Sequence, residues 1–147
     1  MGPVAFLDTS YAVALANSRD QLHELARRLG SRLTTQRTRL VTTRAILFEI
    51  GNHFTGVDGR PLGARVLTAL QTDRNVEVVE ITTELYEKAV RLYTARPDKE
   101  WGLIDCASFV VMQERGIADA LTYDEHFTQA GFVALLRLIP GSTEVNR

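Results

Sequence analysis

The segment Val4-Ala5-Phe6-Leu7-Asp8-Thr9-Ser10 decides the fold class. Its first four residues form an unbroken apolar run just after Pro3, with the length and continuity expected of a strand buried on both faces. Such strands occur in parallel sheets covered by helices on either side. The run ends in Asp8. In open α/β sheets ligands bind beyond the carboxyl ends of the strands, so an acid at that point is a candidate for a site rather than for the core.

Outward from this strand, helical and extended patterns alternate. Tyr11 to Ala16 reads as a short helix. A second is signalled by Asp20 as N-cap, by Leu22, Leu25, Ala26 and Leu29 at helical spacing, and by Gly30 as a stop. Leu40 to Thr42 fits a second strand, after which Thr43 can cap a helix whose core face is Ile46, Leu47, Ile50 and Phe54. Val57 to Pro61 is a loop, and Pro61 is well placed to open a helix through Leu62, Val66, Leu67 and Leu70. Val76 to Ile81 alternates apolar and acidic residues as a strand does, and Thr83 then caps a helix with Leu85, Ala89, Leu92 and Tyr93 inward. A strong helix spans Leu103 to Arg115 and is ended by Gly116, with Ile104, Ala107, Ser108, Val111 and Met112 as its stripe. Ala120 to Thr122 is a short strand ending near Asp124, and Val133 to Ile139 is the last strand. This order predicts a three-layer α/β/α fold with a central, mostly parallel sheet, in one domain over residues 1–147.

Bulk composition narrows the function classes. With 45% hydrophobic and 24% charged residues the chain resembles an ordinary globular protein, neither disordered nor fibrous. Its longest apolar stretches fall far short of the roughly 20 residues needed to cross a bilayer. Met1 to Leu7 carries no basic leader or small-residue cleavage site, so the expectation is a cytoplasmic protein without a membrane span. Cys106 is the single cysteine, which excludes an internal disulfide and a thiolate zinc site; between Asp105 and Ala107 it reads as a buried, inert thiol. The net charge of -1 gives no global attraction to nucleic acid. Yet from Arg19 to Arg44 seven arginines face only Asp20 and Glu24, a local excess of +5. That segment, with Arg27, Arg28 and Arg44, is either a phosphate-binding surface or a solvated helix face.

Four acids stand out by position. Asp8 and Asp124 follow strands, and Asp105 lies in the first turn of its helix, where the dipole favours the charged form. Glu49 sits between Phe48 and Ile50 in a segment apolar almost all round, and a carboxylate there needs a partner. Each taken alone has an ordinary reading as a turn residue, a helix-start charge or half of an ion pair. Brought together they change meaning. Two carboxylates about 4 Å apart repel by roughly 4 kcal/mol at an effective dielectric of about 20, so a converging quartet requires countercharge. Oxygen ligands without clustered His or Cys favour Mg²⁺ or Mn²⁺ over Zn²⁺. His23, His53 and His126 lack metal-motif spacing and read as surface or capping residues, although His126 lies close to the site.

The blocks VAFLDTS at 4–10, FEIGN at 48–52, WGLIDCASFVVM at 101–112 and ALTYDEHF at 120–127, followed by Ala130, Gly131 and Phe132, resemble the PIN-domain nucleases, and in particular the VapC-type ribonuclease toxins of toxin–antitoxin modules. The resemblance runs from Val4 to about Leu138. It implies a single metal site lined by Asp8, Glu49, Asp105 and Asp124, with Thr9 and Ser10 supporting the metal or its water. It also implies a Mg²⁺- or Mn²⁺-dependent endoribonuclease acting on RNA, a small antitoxin covering the groove, and a homodimer. A PIN nuclease of RNA maturation or decay would carry the same residues. A non-catalytic module keeping the fold would have no need of intact carboxylates. A phosphatase using Asp8 as nucleophile would want a lysine beside the quartet, and neither Lys88 nor Lys99 adjoins it.

Overall fold

Five strands, β1 (Val4–Leu7), β2 (Arg39–Thr43), β3 (Val76–Val79), β4 (Asp119–Leu121) and β5 (Val133–Ala134), pair in parallel in the order β3-β2-β1-β4-β5. The computed structural model describes residues 2–142. Phe6 stands opposite Val41 on one side and Ala120 on the other, so β1 is the central strand. Its Ala5, Phe6 and Leu7 are buried, as a strand covered on both faces must be.

The helices are α1 (Thr9–Ala16), α2 (His23–Thr35), α3 (Arg44–His53), α4 (Arg60–Thr72), α5 (Thr83–Ala95), α6 (Leu103–Arg115) and α7 (Glu125–Gln129). Parallel connections are almost always right-handed, which sends α1 to α4 across one face and α5 to α7 across the other. The helices pack in those two sets, α1 against α2, α3 and α4, and α6 against α5 and α7. The three-layer α/β/α architecture expected from the alternating pattern is therefore observed. Strand order reverses between β1 and β4, and the crevice beyond their carboxyl ends is where such sheets bind ligands. No helix among the described residues is long and apolar enough to cross a membrane.

Two packing devices fix the walls of that crevice. Thr42 donates its buried hydroxyl to the carbonyl of Leu7 at 2.8 Å, tying β2 to the last residue of β1. On the other side Phe109 of α6 meets Phe127 of α7 edge-on at 5.0 Å, and Phe127 lies 6.3 Å from Phe6. These rings anchor the helices that carry Asp105 and the segment after Asp124 to the central strand. Gly63 makes a third close approach, because a Cβ there would lie 2.7 Å from Cβ of Phe54 where α4 crosses the end of α3.

Several boundaries differ from the sequence expectation, each for a local reason. The last strand stops at Ala134 rather than Ile139, and Leu135–Arg137 form a 3-10 turn. Its neighbour β4 is only three residues long, so the ladder ends and the chain turns to bury Leu136 and Ile139. Gly30 does not stop the second helix, which runs on to Thr35 and buries Leu33. A Cβ at Gly30 would lie 3.2 Å from the Tyr11 hydroxyl, so this glycine serves packing. Asp20 caps no helix; its carboxylate accepts from the N–H of Leu22 at 2.8 Å in the turn before α2. Thr82 rather than Thr83 caps α5, accepting from the N–H of Leu85. Tyr93, expected inward, is 52% exposed. Gly116 ends α6 as expected, in the left-handed conformation with φ 65°.

Candidate active site

Asp8 follows β1 at the N-cap position of α1, yet its carboxylate does not cap that helix. Oδ2 instead accepts hydroxyl hydrogen bonds from Thr122 at 2.7 Å and Ser10 at 3.3 Å. Burial pushes the Asp8 pKa up to about 7, against the opposing pull of Thr122 and the Thr9 N–H and with repulsion from Glu49 and Asp105 adding to the rise. Thr122 is itself fully buried and accepts the N–H of Asp124 at 3.0 Å, so one hydroxyl joins the ends of β1 and β4.

Glu49 projects from α3 and takes a hydrogen bond on Oε1 from the Thr9 hydroxyl. Burial raises its pKa, the Thr9 bond opposes, and Asp105 and Asp124 push it further up. Asp105 lies in the first turn of α6, where Oδ2 accepts the Gly102 N–H at 3.1 Å. The same oxygen stands 3.1 Å from Nδ1 of His126. Its pKa too is raised, chiefly by burial, with the Gly102 N–H opposing, Asp124 adding and His126 opposing. Asp124 is the N-cap of α7 and accepts the His126 N–H at 2.9 Å.

These four acids line one cavity of about 360 Å³ together with Thr9, Ser10, Val13, Asp20, His53 and His126. No lysine or arginine is among the described residues that line it. One ligand atom each from Asp105, Asp124 and His126 lie within 4.8 Å of one another, close enough to share an ion. Clustered carboxylates, three of them buried enough to have raised pKa values, with no basic side chain other than histidine make a donor set that fits a divalent cation, whose charge would favour their ionised forms.

Sequence reasoning had placed Asp8, Glu49, Asp105, Asp124, Thr9 and Ser10 here, and all six line the cavity. It missed Asp20 and His53, and it read His126 as a surface or capping residue close to the site, whereas the ring faces two carboxylates. The spacing Asp124-x-His126 was the available signal for His126. Nothing in the local sequence marks Asp20 or His53, which reach the cavity only because α1, α2 and α3 pack together. Arg27, Arg28 and Arg44 do not line the cavity: Arg27 meets Glu24 at 3.4 Å, Arg28 donates to the Pro140 carbonyl, and Arg44 forks onto Glu80 while also holding Gln71. Lys88 is bound to Glu84 and Glu114 and Lys99 does not line the cavity either, so the lysine expected of an aspartyl phosphatase is missing from its walls.

A central parallel sheet with acids converging at its switch point is the architecture of the PIN domain, and this chain belongs to that family, matching it over residues 5–133. It is 30% identical over 128 residues to the 23S rRNA-specific endonuclease VapC20 of Mycobacterium tuberculosis, in strains CDC 1551 / Oshkosh and ATCC 25618 / H37Rv, covering 87% of this chain and 95% of the relative. The crystal structure of M. tuberculosis VapC20, described as a sarcin–ricin loop cleaving toxin, superposes with a TM-score of 0.80 at 28% identity, over 89% of this chain and 97% of that one. The resemblance to VapC toxins read from the four sequence blocks is thereby borne out.

Proposed function

We propose that this chain is a Mg²⁺- or Mn²⁺-dependent endoribonuclease that hydrolyses phosphodiester bonds of RNA and acts as the toxin of a toxin–antitoxin pair. The observation that carries the reading is the convergence of Asp8, Glu49, Asp105 and Asp124 in one cavity without a lysine or arginine among its described lining. A structured ribosomal RNA, of the kind named for VapC20, is the proposed substrate class, which puts the site of action in the cytoplasm.

Asp8 and Asp105 are assigned to direct metal ligation, with Glu49 and Asp124 orienting water or holding a second ion. A divalent cation bound there supplies Lewis acidity toward the phosphate and lowers the pKa of a bound water. The chain's own residues do the positioning. Thr122 and Ser10 hold the Asp8 carboxylate, Thr9 holds Glu49, and the Gly102 N–H with His126 fixes Asp105. Arg27, Arg28 and Arg44 already have partners within the chain, so their share in an RNA grip would be charge at a distance. The resemblance further supports a small antitoxin over the acid cavity and a homodimeric assembly, which co-purification with the neighbouring reading frame and sedimentation would test.

The deciding experiment is cleavage of a sarcin–ricin stem–loop RNA by wild type and Asp8→Asn in Mg²⁺, Mn²⁺ or EDTA. Cleavage by wild type in metal, lost in EDTA and in the variant, is expected. Metal-independent cleavage, or equal rates for the two proteins, would overturn the assignment.

A further inference from the structure

The acid cavity has a neighbour. A second pocket, about 420 Å³, is lined by Ser10, Tyr123, Asp124, Glu125 and Arg137, and it shares Ser10 and Asp124 with the first. Arg137 is exposed, yet its guanidinium is held in place: Nε donates to the Tyr123 carbonyl at 2.7 Å, and the guanidinium carbon lies 4.3 Å from the centre of the Tyr123 ring. Tyr123 is pinned in turn, its hydroxyl donating to the Ser142 carbonyl at 2.8 Å and its N–H to Ser10 at 3.3 Å. Ser142 closes the ring by donating to the Arg137 carbonyl at 2.6 Å.

This arrangement uses one nitrogen of the guanidinium and leaves the terminal pair without a carboxylate among the described residues, although Glu125 and Asp124 border the same pocket. Arg44, Arg96 and Arg115, by contrast, spend their forks on Glu80, Asp98 and Glu77. A guanidinium stacked on an aromatic ring, with its terminal N–H groups open, is preorganised for bidentate contact with a phosphate. RNA entering an acid-lined cavity brings further phosphates on either side of the one being cut. Each needs countercharge that the acids cannot give.

We propose that Arg137, stacked on Tyr123, grips the RNA phosphate that flanks the scissile one and so holds the strand against the acid cavity. The proposal rests on the ribonuclease reading of that cavity. Arg137 is a binding residue, so its removal weakens RNA binding and leaves metal binding and the chemical step intact.

The test compares wild type, Arg137→Gln and Arg137→Lys on a fluorescein-labelled sarcin–ricin stem–loop RNA, by anisotropy in Ca²⁺ at several KCl concentrations and by cleavage kinetics in Mn²⁺. Arg137→Gln should raise Kd and KM about tenfold and flatten the salt dependence by about one charge. kcat and RNA-free Mn²⁺ affinity should stay unchanged, and Arg137→Lys should keep the salt slope. A second arm replaces single phosphates of the RNA by neutral methylphosphonates: one flanking position should weaken wild type and leave Arg137→Gln no weaker than before. A folded Arg137→Gln with unchanged Kd, or with kcat reduced at constant KM, overturns the proposal. So does a wild-type scan in which no flanking phosphate matters, and that scan decides alone should the variant fail to fold. Wild type that cuts no RNA in Mn²⁺ removes the ribonuclease reading itself, a separate result.

Discussion

The Thr122 hydroxyl stands 2.7 Å from Oδ2 of Asp8, a fully buried link between the ends of two neighbouring parallel strands. It is the strongest of the contacts that favour the ionised form of Asp8.

Replacing Thr122 by valine keeps the shape and removes the donor. A hydrogen bond to a charged group contributes about 1.5–3 kcal/mol, so the Asp8 pKa should climb by about one unit or more. The acid limb of the activity profile should move to higher pH by that amount, with cleavage at neutral pH reduced about tenfold, while Thr122→Ser retains most of it. An unshifted profile for the valine variant would remove Thr122 from this role.

The raised pKa of Asp8 has a consequence for stability. With an ordinary value of 3.8 when unfolded and about 7 when folded, the native state binds this proton more tightly. The group therefore stabilises the fold fully below about pH 4, and that contribution disappears as pH rises through about 7. Burial and like charges push Glu49 and Asp105 in the same direction. Thermal unfolding in EDTA should show Tm falling between pH 5 and pH 8, with Asp8→Asn flattening the fall. Saturating Mn²⁺ should raise Tm by roughly 5–10 °C at pH 8 and by little at pH 5, where protons compete for the ligands. A metal effect larger at pH 5 would contradict this ordering.

Phe127 is fully buried between Phe6 and Phe109. Phe127→Ala should cost about 3–5 kcal/mol by chemical denaturation and lower Tm by about 10 °C or more. Because the ring seats α7, activity should fall even where the variant is folded. A loss below about 1 kcal/mol would mean that the aromatic cluster does not anchor the helix.

His126 faces Asp105 at 3.1 Å and Asp124 at 3.5 Å. Truncation to alanine should weaken Mn²⁺ binding about tenfold by titration calorimetry, the scale typical of groups that orient or complete a metal site. Stability of the metal-free protein should change by less than about 1 kcal/mol. Unchanged Mn²⁺ affinity would return His126 to a capping role.

How far the molecule could be read beforehand depended on whether a residue's position was set locally. Asp8, Asp105 and Asp124 stand at a strand end, a helix start and a post-strand turn, places that topology alone directs to the switch point. Glu49 was legible as a charge out of keeping with its apolar neighbours. Asp20 and His53 gave no such sign, since a loop acid and a helix-end histidine look alike whether or not another helix folds a cavity against them. The apolar run at Val133 to Ile139 suited a strand equally well, and only the shortness of β4 ends the pairing at Ala134. Gly30 carried the usual mark of a helix terminus, while the Tyr11 hydroxyl that explains it lies on another helix.

The position of β4 also governs when, during synthesis, the acid cavity can form. Asp8, Glu49 and Asp105 all emerge from the ribosome before Asp119–Leu121, yet the Asp8 carboxylate gains its main anchor from Thr122 and the quartet is completed by Asp124. A nascent or prematurely terminated chain ending ahead of β4 therefore carries three of the acids and no assembled centre. Assembly of the cavity therefore waits on the segment that carries Thr122 and Asp124, and fragments ended as late as Asp119 should show no metal-dependent cleavage.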